Sequence, residues 1–141
     1  MIRQPNDMAP SLNARRFGAL VAVLNVITSG YFAVTSLVDP GALVPGGDQA
    51  APKTYAAYMV VRSVVLLGGM AWLLALRAWR ALALLLAFNG AVQIGDTAIG
   101  AAHHQVPQTI GPLVFAIALL TAAWLLAGRN PAPGRIRPTS Q

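Results

Sequence analysis

Four apolar runs, each roughly the 20 residues that a helix needs to cross a hydrocarbon core, constrain this chain more than any other feature of its sequence. Hydrophobic residues are 56% of the chain and charged residues only 10%. A soluble four-helix bundle would need a polar face on each helix, and the segments 64–76 and 81–88 have none. The sequence therefore predicts an all-α fold, a four-helix transmembrane bundle.

The length of 141 residues allows one domain. We expect it to span residues 17–127, with helices at 17–38, 54–76, 81–102 and 108–127. Residues 1–16 are expected to form a polar N-terminal tail, and residues 128–141 a basic, disordered C-terminal tail. Pro112 falls in the second turn of the fourth expected helix and predicts a kink there.

The basic residues predict the orientation of the bundle. A net charge of +6 is compatible with nucleic-acid binding, but the positions of the charges favour another explanation. Eight of the ten Lys and Arg residues precede the first run, lie between the second and third, or follow the fourth, whereas Lys53 lies on the other side. The positive-inside rule then predicts cytoplasmic N and C termini for a multi-pass inner-membrane protein. Membrane lipids are expected partners, and nucleic acid is not.

Two opposite charges lie well inside the apolar runs. Arg62 is 17 residues before Trp79, and Asp96 is 17 residues after it. In an antiparallel helical hairpin both would lie roughly 25 Å above the connecting turn, given a rise of about 1.5 Å per residue. Each unpaired charge at the centre of a membrane costs about 2.5–3.5 kcal/mol on insertion scales. The spacing therefore predicts an intramembrane salt bridge, direct or through water, which either fixes helix packing or belongs to a binding site.

The other polar residues of the apolar runs also share helix faces. Asn25 and Ser29 lie on one face of the first helix, and Tyr55, Tyr58 and Arg62 on one face of the second; Asn89, Gln93, Asp96 and His103 follow one narrow face of the third. Lipid cannot satisfy such groups, so the three faces are expected to turn inward and form an outward-opening polar pocket. The candidate ligand-binding residues are Arg62, Asp96, Tyr55, Tyr58, Asn89, Gln93, Asn25 and Ser29.

The chemistry of these groups limits the candidate catalytic residues to His103 and Asp96. A carboxylate beside an Arg is a poor base, because its charged form is favoured. Asp96 is therefore better suited to orient Arg62 or a ligand, and His103 is the better acid–base candidate. No metal site is expected, since the adjacent histidines His103 and His104 diverge on a helix and no paired ligand spacing exists.

A ladder of small residues lies on the opposite face of the third helix. It consists of Ala83, Ala87, Ala91 and Gly95. Such ladders allow close helix approach in membranes. They predict either a homodimer interface or simply a lipid-facing, alanine-rich surface.

The arrangement of these motifs resembles the small DoxX-like bacterial membrane proteins, in particular a branch known only as a domain of unknown function. The resemblance covers residues 17–127 and depends on the basic turn between helices two and three, on Arg62 after Tyr58-Met-Val-Val, and on Asp96 after Gln93-Ile-Gly. Ser63 stands where members of that branch often carry an acidic residue. The resemblance implies the fold and a bacterial membrane location, and it implies no established reaction.

Two functions are compatible with the sequence. In the first, the chain binds a small amphipathic lipid-, isoprenoid- or quinone-like molecule in the pocket around Arg62 and Asp96. Whether it also isomerises, cyclises or reduces that molecule is left open, and the sequence identifies no cofactor. In the second, the chain is a non-catalytic structural or accessory membrane subunit whose charged pair only fixes helix packing.

Overall fold

The computed structural model describes residues 10–43, 46–47 and 49–128. It contains four α-helices within this part of the chain: α1 (Leu12–Val38), α2 (Ala50–Ala75), α3 (Trp79–Ala102) and α4 (Val106–Ala127), with a short 3₁₀ helix (Pro40–Ala42) after α1. All four α-helices are long and apolar enough to cross a membrane, so the chain is a multi-pass membrane protein. The predicted all-α, four-helix class is confirmed. Most of the two predicted tails, residues 1–9 and 129–141, lies outside the described residues.

Helix α1 begins five residues earlier than its apolar run. Ser11 caps it, because the Ser11 side chain accepts a hydrogen bond of 3.2 Å from the backbone N–H of Ala14. The segment from Leu12 to Arg16, predicted as tail, is therefore the first helical turn. Helix α2 also begins early, at Ala50, and tolerates Pro52 because a first-turn N–H has no helical partner.

Helices α2 and α3 both end in Schellman motifs whose left-handed residue is not glycine. After α2, Arg77 has φ 52°, its N–H donates to the Leu74 carbonyl, and the Ala78 N–H donates to the Leu73 carbonyl. After α3, His104 has φ 55° and occupies the equivalent position, with Gln105 donating to the Gly100 carbonyl. These motifs set the tight turns between consecutive antiparallel helices.

The four helices form a ring in which each contacts its neighbours in sequence, and α1 also contacts α4. One end of the ring is marked by Arg15 of α1, which lies over the Trp79 ring of α3 at 5.9 Å, and by the approach of Gly18 to Leu126 of α4. We call this the basic end. The core cluster lies towards it and contains the buried residues Val21, Ala22, Met70, Leu82, Ala83, Leu86, Leu119, Ala122, Ala123 and Leu126.

The tightest interface lies between α3 and α4. A Cβ at Gly90 would lie 2.9 Å from the Leu120 side chain, and one at Gly100 would lie 2.6 Å from the Gln108 carbonyl oxygen. That carbonyl lacks its usual helical partner, because Pro112 has no N–H. Glycines 90 and 100 therefore allow the close packing of this pair.

The predicted small-residue ladder is divided between two environments. Ala83 is buried and Ala87 is half-buried, and both pack on the core, whereas Ala91 and Gly95 are exposed. A Cβ at Gly95 would meet nothing within 4 Å. Half of the ladder is therefore used within the chain itself.

Candidate functional site: a cleft between α2 and α3

The seam between α2 and α3 is the most open one between neighbours in the ring. These two helices follow each other in sequence, yet they contact each other far less than α3 contacts α4 or α1 contacts α2. A cleft of about 410 Å³ occupies the gap, within the usual 300–1,000 Å³ of small-molecule sites. We call it the α2–α3 cleft; it is lined by Leu66 and Met70 of α2 and by Leu85, Phe88, Asn89, Ala91 and Val92 of α3.

The walls of the α2–α3 cleft are almost entirely apolar and open sideways. Phe88 keeps 63% of its surface exposed and Val92 keeps 52%. Asn89 is half-buried and is the polar side chain of the lining. An apolar molecule in the cleft would therefore contact hydrocarbon on both walls and one amide group partway along.

Arg62 and Asp96 lie beyond the end of the cleft farther from the basic end. Arg62 precedes Leu66 by four residues, and Asp96 follows Val92 by four, so each charge lies one helical turn from a lining residue and on the same helix face. Both side chains are exposed. The predicted arrangement on facing helices therefore has an apolar cleft beneath it.

The predicted direct salt bridge is not formed. Within residues 10–43, 46–47 and 49–128, no Lys, Arg or His nitrogen lies within 4.0 Å of a carboxylate oxygen. The reason is geometric: α2 and α3 make few contacts, so matched height on two antiparallel helices does not bring the side chains together. Two opposite charges thus remain unpaired at similar depth.

Asn25 is the fully buried polar residue of the described core. Its Nδ2 atom donates to the Met70 sulfur at 3.8 Å, and its Oδ1 atom has no hydrogen-bond partner. Met70 also lines the α2–α3 cleft, so Asn25 lies directly behind the cleft floor. A buried carbonyl without a donor is costly, and Met70, being unbranched and flexible, is the side chain that separates it from the cleft.

The remaining candidates do not gather in one inward-facing pocket. Ser29 and Gln93 are half-buried, whereas Tyr55, Tyr58 and His103 are exposed. His103 is the C-terminal cap of α3, about 10 Å along the helix axis from Asp96 at 1.5 Å per residue. The expectation that all three polar faces turn to a common interior is therefore wrong for the residues near the outer end, because the open seam leaves them without an opposing surface.

Comparison with protein-family models, with curated proteins and with solved structures found no match for this chain. The chemistry of the site must therefore be argued from its own groups. Within the described part of the chain no three His, Cys, Asp or Glu residues group as metal ligands. What the site combines is an apolar cleft, an amide in its wall, and two separate opposite charges at one end.

Sequence reasoning missed the apolar half of this site. It singled out Asn89 but not Met70, Leu85, Phe88 or Val92, which form most of the lining. The signal was present, because these residues continue the Arg62 and Asp96 faces towards the basic end at steps of three and four. They could not be distinguished from ordinary core residues without knowing that the α2–α3 seam is open.

Proposed function

We propose that this chain is a small inner-membrane protein that binds an amphipathic lipid-, isoprenoid- or quinone-like molecule in the α2–α3 cleft. One observation carries the proposal: an apolar cleft of about 410 Å³ ends at two opposite charges that have no partner within the described chain. Unpaired charges inside a membrane are costly and mark functional sites by default. A ligand with an apolar body and a polar head would satisfy both parts at once.

The residues then divide into apolar walls and polar contacts. The body of the ligand lies between Leu66 on one helix and Phe88 and Val92 on the other. Arg62 holds an anionic or carbonyl oxygen of the head group, because its guanidinium presents several donors in a fixed geometry. Asp96 accepts a hydrogen bond from a hydroxyl group of the head, or orients Arg62. Asn89 contacts a second oxygen nearer the middle of the cleft.

The proposed orientation places the basic end in the cytoplasm. Arg15, Arg16, Arg77 and Arg80 lie at that end, and Lys53 lies at the start of α2 at the other. The positive-inside rule then gives cytoplasmic termini and puts the charged end of the cleft towards the outer leaflet. This topology is the one that the DoxX-like resemblance implies.

Native mass spectrometry of gently extracted protein tests the proposal. We expect the wild type to carry one defined small molecule, and the double variant Arg62→Met with Asp96→Leu to lose it while remaining folded. The control Lys53→Met with Asp39→Asn also removes one positive and one negative charge, at exposed positions outside the cleft. It keeps an oxygen at residue 39 to cap the 3₁₀ helix, and we expect it to keep the molecule.

A second pair of variants tests the cleft independently of charge. Val92→Trp fills the cleft, whereas Val114→Trp adds the same bulk at a similarly exposed position on α4. The first should exclude the molecule and the second should retain it. Wild-type protein that carries only unselected phospholipid would overturn the binding proposal.

The alternative is an accessory subunit, and the same unpaired charges favour it in one respect. Arg62 and Asp96 are exposed, so a helix of another protein could enter the seam and pair with both. In that case wild-type protein would co-purify with a stoichiometric polypeptide that Val92→Trp displaces. A small molecule displaced by Val92→Trp, with no such polypeptide, would instead favour the binding proposal.

A further inference from the structure

A second groove runs along the outer surface of α3 and α4, away from the α2–α3 cleft. It has a volume of about 620 Å³, and we call it the α3–α4 groove; it is lined by Arg80, Ala83, Leu84, Ala87, Leu120, Ala123, Trp124 and Ala127. Four alanines make it hollow, because longer side chains at those positions would fill it. Its length from Arg80 to Ala87 is about 10 Å along the helix axis at 1.5 Å per residue.

The groove has one charged end. Arg80 lies in the first turn of α3, at the basic end of the bundle, and its side chain is exposed. Of the described acids, Asp39 follows α1 at the opposite end and Asp96 lies in the outer half of α3. No described carboxylate is therefore available to neutralise Arg80. Trp124, which is 63% exposed, forms one wall of the groove.

From this arrangement we infer that the α3–α4 groove is a binding site for an anionic phospholipid of the leaflet at the basic end. One acyl chain lies on the alanine floor against the Trp124 ring, and the phosphate group is held by Arg80. Basic residues at a membrane surface attract anionic head groups, and Arg suits phosphate because it donates in a bidentate geometry. A zwitterionic lipid would fill the same groove but would add a positive group beside Arg80.

The charge complementarity distinguishes this occupant from a second copy of the chain. A second copy approaching through α3 would bring its own Arg80 and Arg77 to the same membrane depth, where the two sets repel each other. The groove also uses only Ala83 and Ala87 of the small-residue ladder, and both already pack on the core of this chain. An acyl chain needs no such matching surface.

The test measures lipid selectivity. Delipidated protein in detergent is titrated with phosphatidylglycerol or with phosphatidylcholine of the same acyl chains, and bound lipid is counted by native mass spectrometry. We expect the wild type to prefer phosphatidylglycerol about tenfold and Arg80→Gln to lose most of that preference. Arg16→Gln removes the same charge at the same end but from an exposed residue outside the groove, and it should keep the preference.

Two further variants make the outcome decisive. Arg80→Lys retains the charge and should retain most of the selectivity, which excludes misfolding as the cause of the loss. Ala87→Leu fills the groove and should reduce binding of both lipids. An equal loss of preference in Arg80→Gln and Arg16→Gln would overturn the proposal in favour of diffuse surface charge. A dimer that is abolished by Ala87→Leu and unaffected by lipid would overturn it in favour of a second copy of the chain.

Discussion

The backbone of Gly100 lies directly against the carbonyl group of Gln108, so that a Cβ at residue 100 would be 2.6 Å from the Gln108 oxygen. Pro112 leaves that oxygen without its usual helical donor. Contact with the Cα–H of a glycine is a weak but favourable substitute. The end of the α3–α4 pair farther from the basic end therefore depends on a single hydrogen atom in place of a side chain.

Gly100→Ala is expected to destabilise the bundle. The added methyl group meets rigid backbone, so α3 and α4 must move apart, at a cost of about 1–3 kcal/mol. Gly95→Ala is the matched control, because a Cβ there meets nothing within 4 Å and alanine favours a helix by about 0.5–1 kcal/mol. Unfolding in mixed micelles should show opposite signs for the two variants. Equal effects would mean that the close approach at Gly100 is not present in the membrane protein.

His104→Gly is expected to stabilise the fold by about 1 kcal/mol, because φ 55° is unfavourable for a residue with a Cβ. His103→Gly is a control with the same chemistry. His103 has φ −97°, so glycine relieves no strain there. Thermal unfolding in detergent should rank His104→Gly above wild type and His103→Gly at or below it. The opposite order would contradict the left-handed conformation at residue 104.

Asn25→Leu is expected to raise the stability of ligand-free protein by up to about 1 kcal/mol. The substitution removes a buried carbonyl that has no donor, and removing such a group with its weak partner is often neutral or stabilising. Asn25→Asp places a charge at the same position and should destabilise strongly. A marked loss of stability in Asn25→Leu would mean that the Oδ1 atom has a partner in the purified protein, such as a buried water.

Arg15→Ala is expected to destabilise the basic end by about 0.5–1 kcal/mol, the usual range for an exposed cation–π contact. The Arg15 guanidinium lies 5.9 Å from the centre of the Trp79 ring, and its Nε atom donates to the Pro10 carbonyl at 2.8 Å. Arg16→Ala removes an exposed charge next to it in sequence and should be near neutral. Tryptophan fluorescence during unfolding measures both. Equal shifts would show that charge, not the Trp79 contact, is responsible.

The helices could be predicted from the sequence because the membrane imposes their length and composition. The ends of the apolar runs were less informative than the caps: Ser11 extends α1 across two arginines that hydropathy alone assigns to a tail. The two left-handed turns were missed because Arg77 and His104 occupy a position where glycine is the usual signal.

The faces of the helices were predicted better than their partners. Periodicity put Arg62 and Asp96 at matching heights, and they do lie on faces that continue into one cleft. It could not show how far apart α2 and α3 lie, since that distance depends on packing across the whole ring. Gly90 and Gly100 bring α3 to α4, and no sequence pattern ranked them above Gly95, which packs against nothing within 4 Å.

The sideways opening of the α2–α3 cleft has a consequence for how occupancy would be measured. A molecule that enters between two helices arrives by diffusion within the bilayer and never has to cross the aqueous phase. Its effective concentration is then its mole fraction among the lipids, and an aqueous dissociation constant would mix partitioning with binding. Titrations at fixed ligand but changing lipid amount should therefore dilute the ligand from the protein, as simple two-dimensional mass action requires.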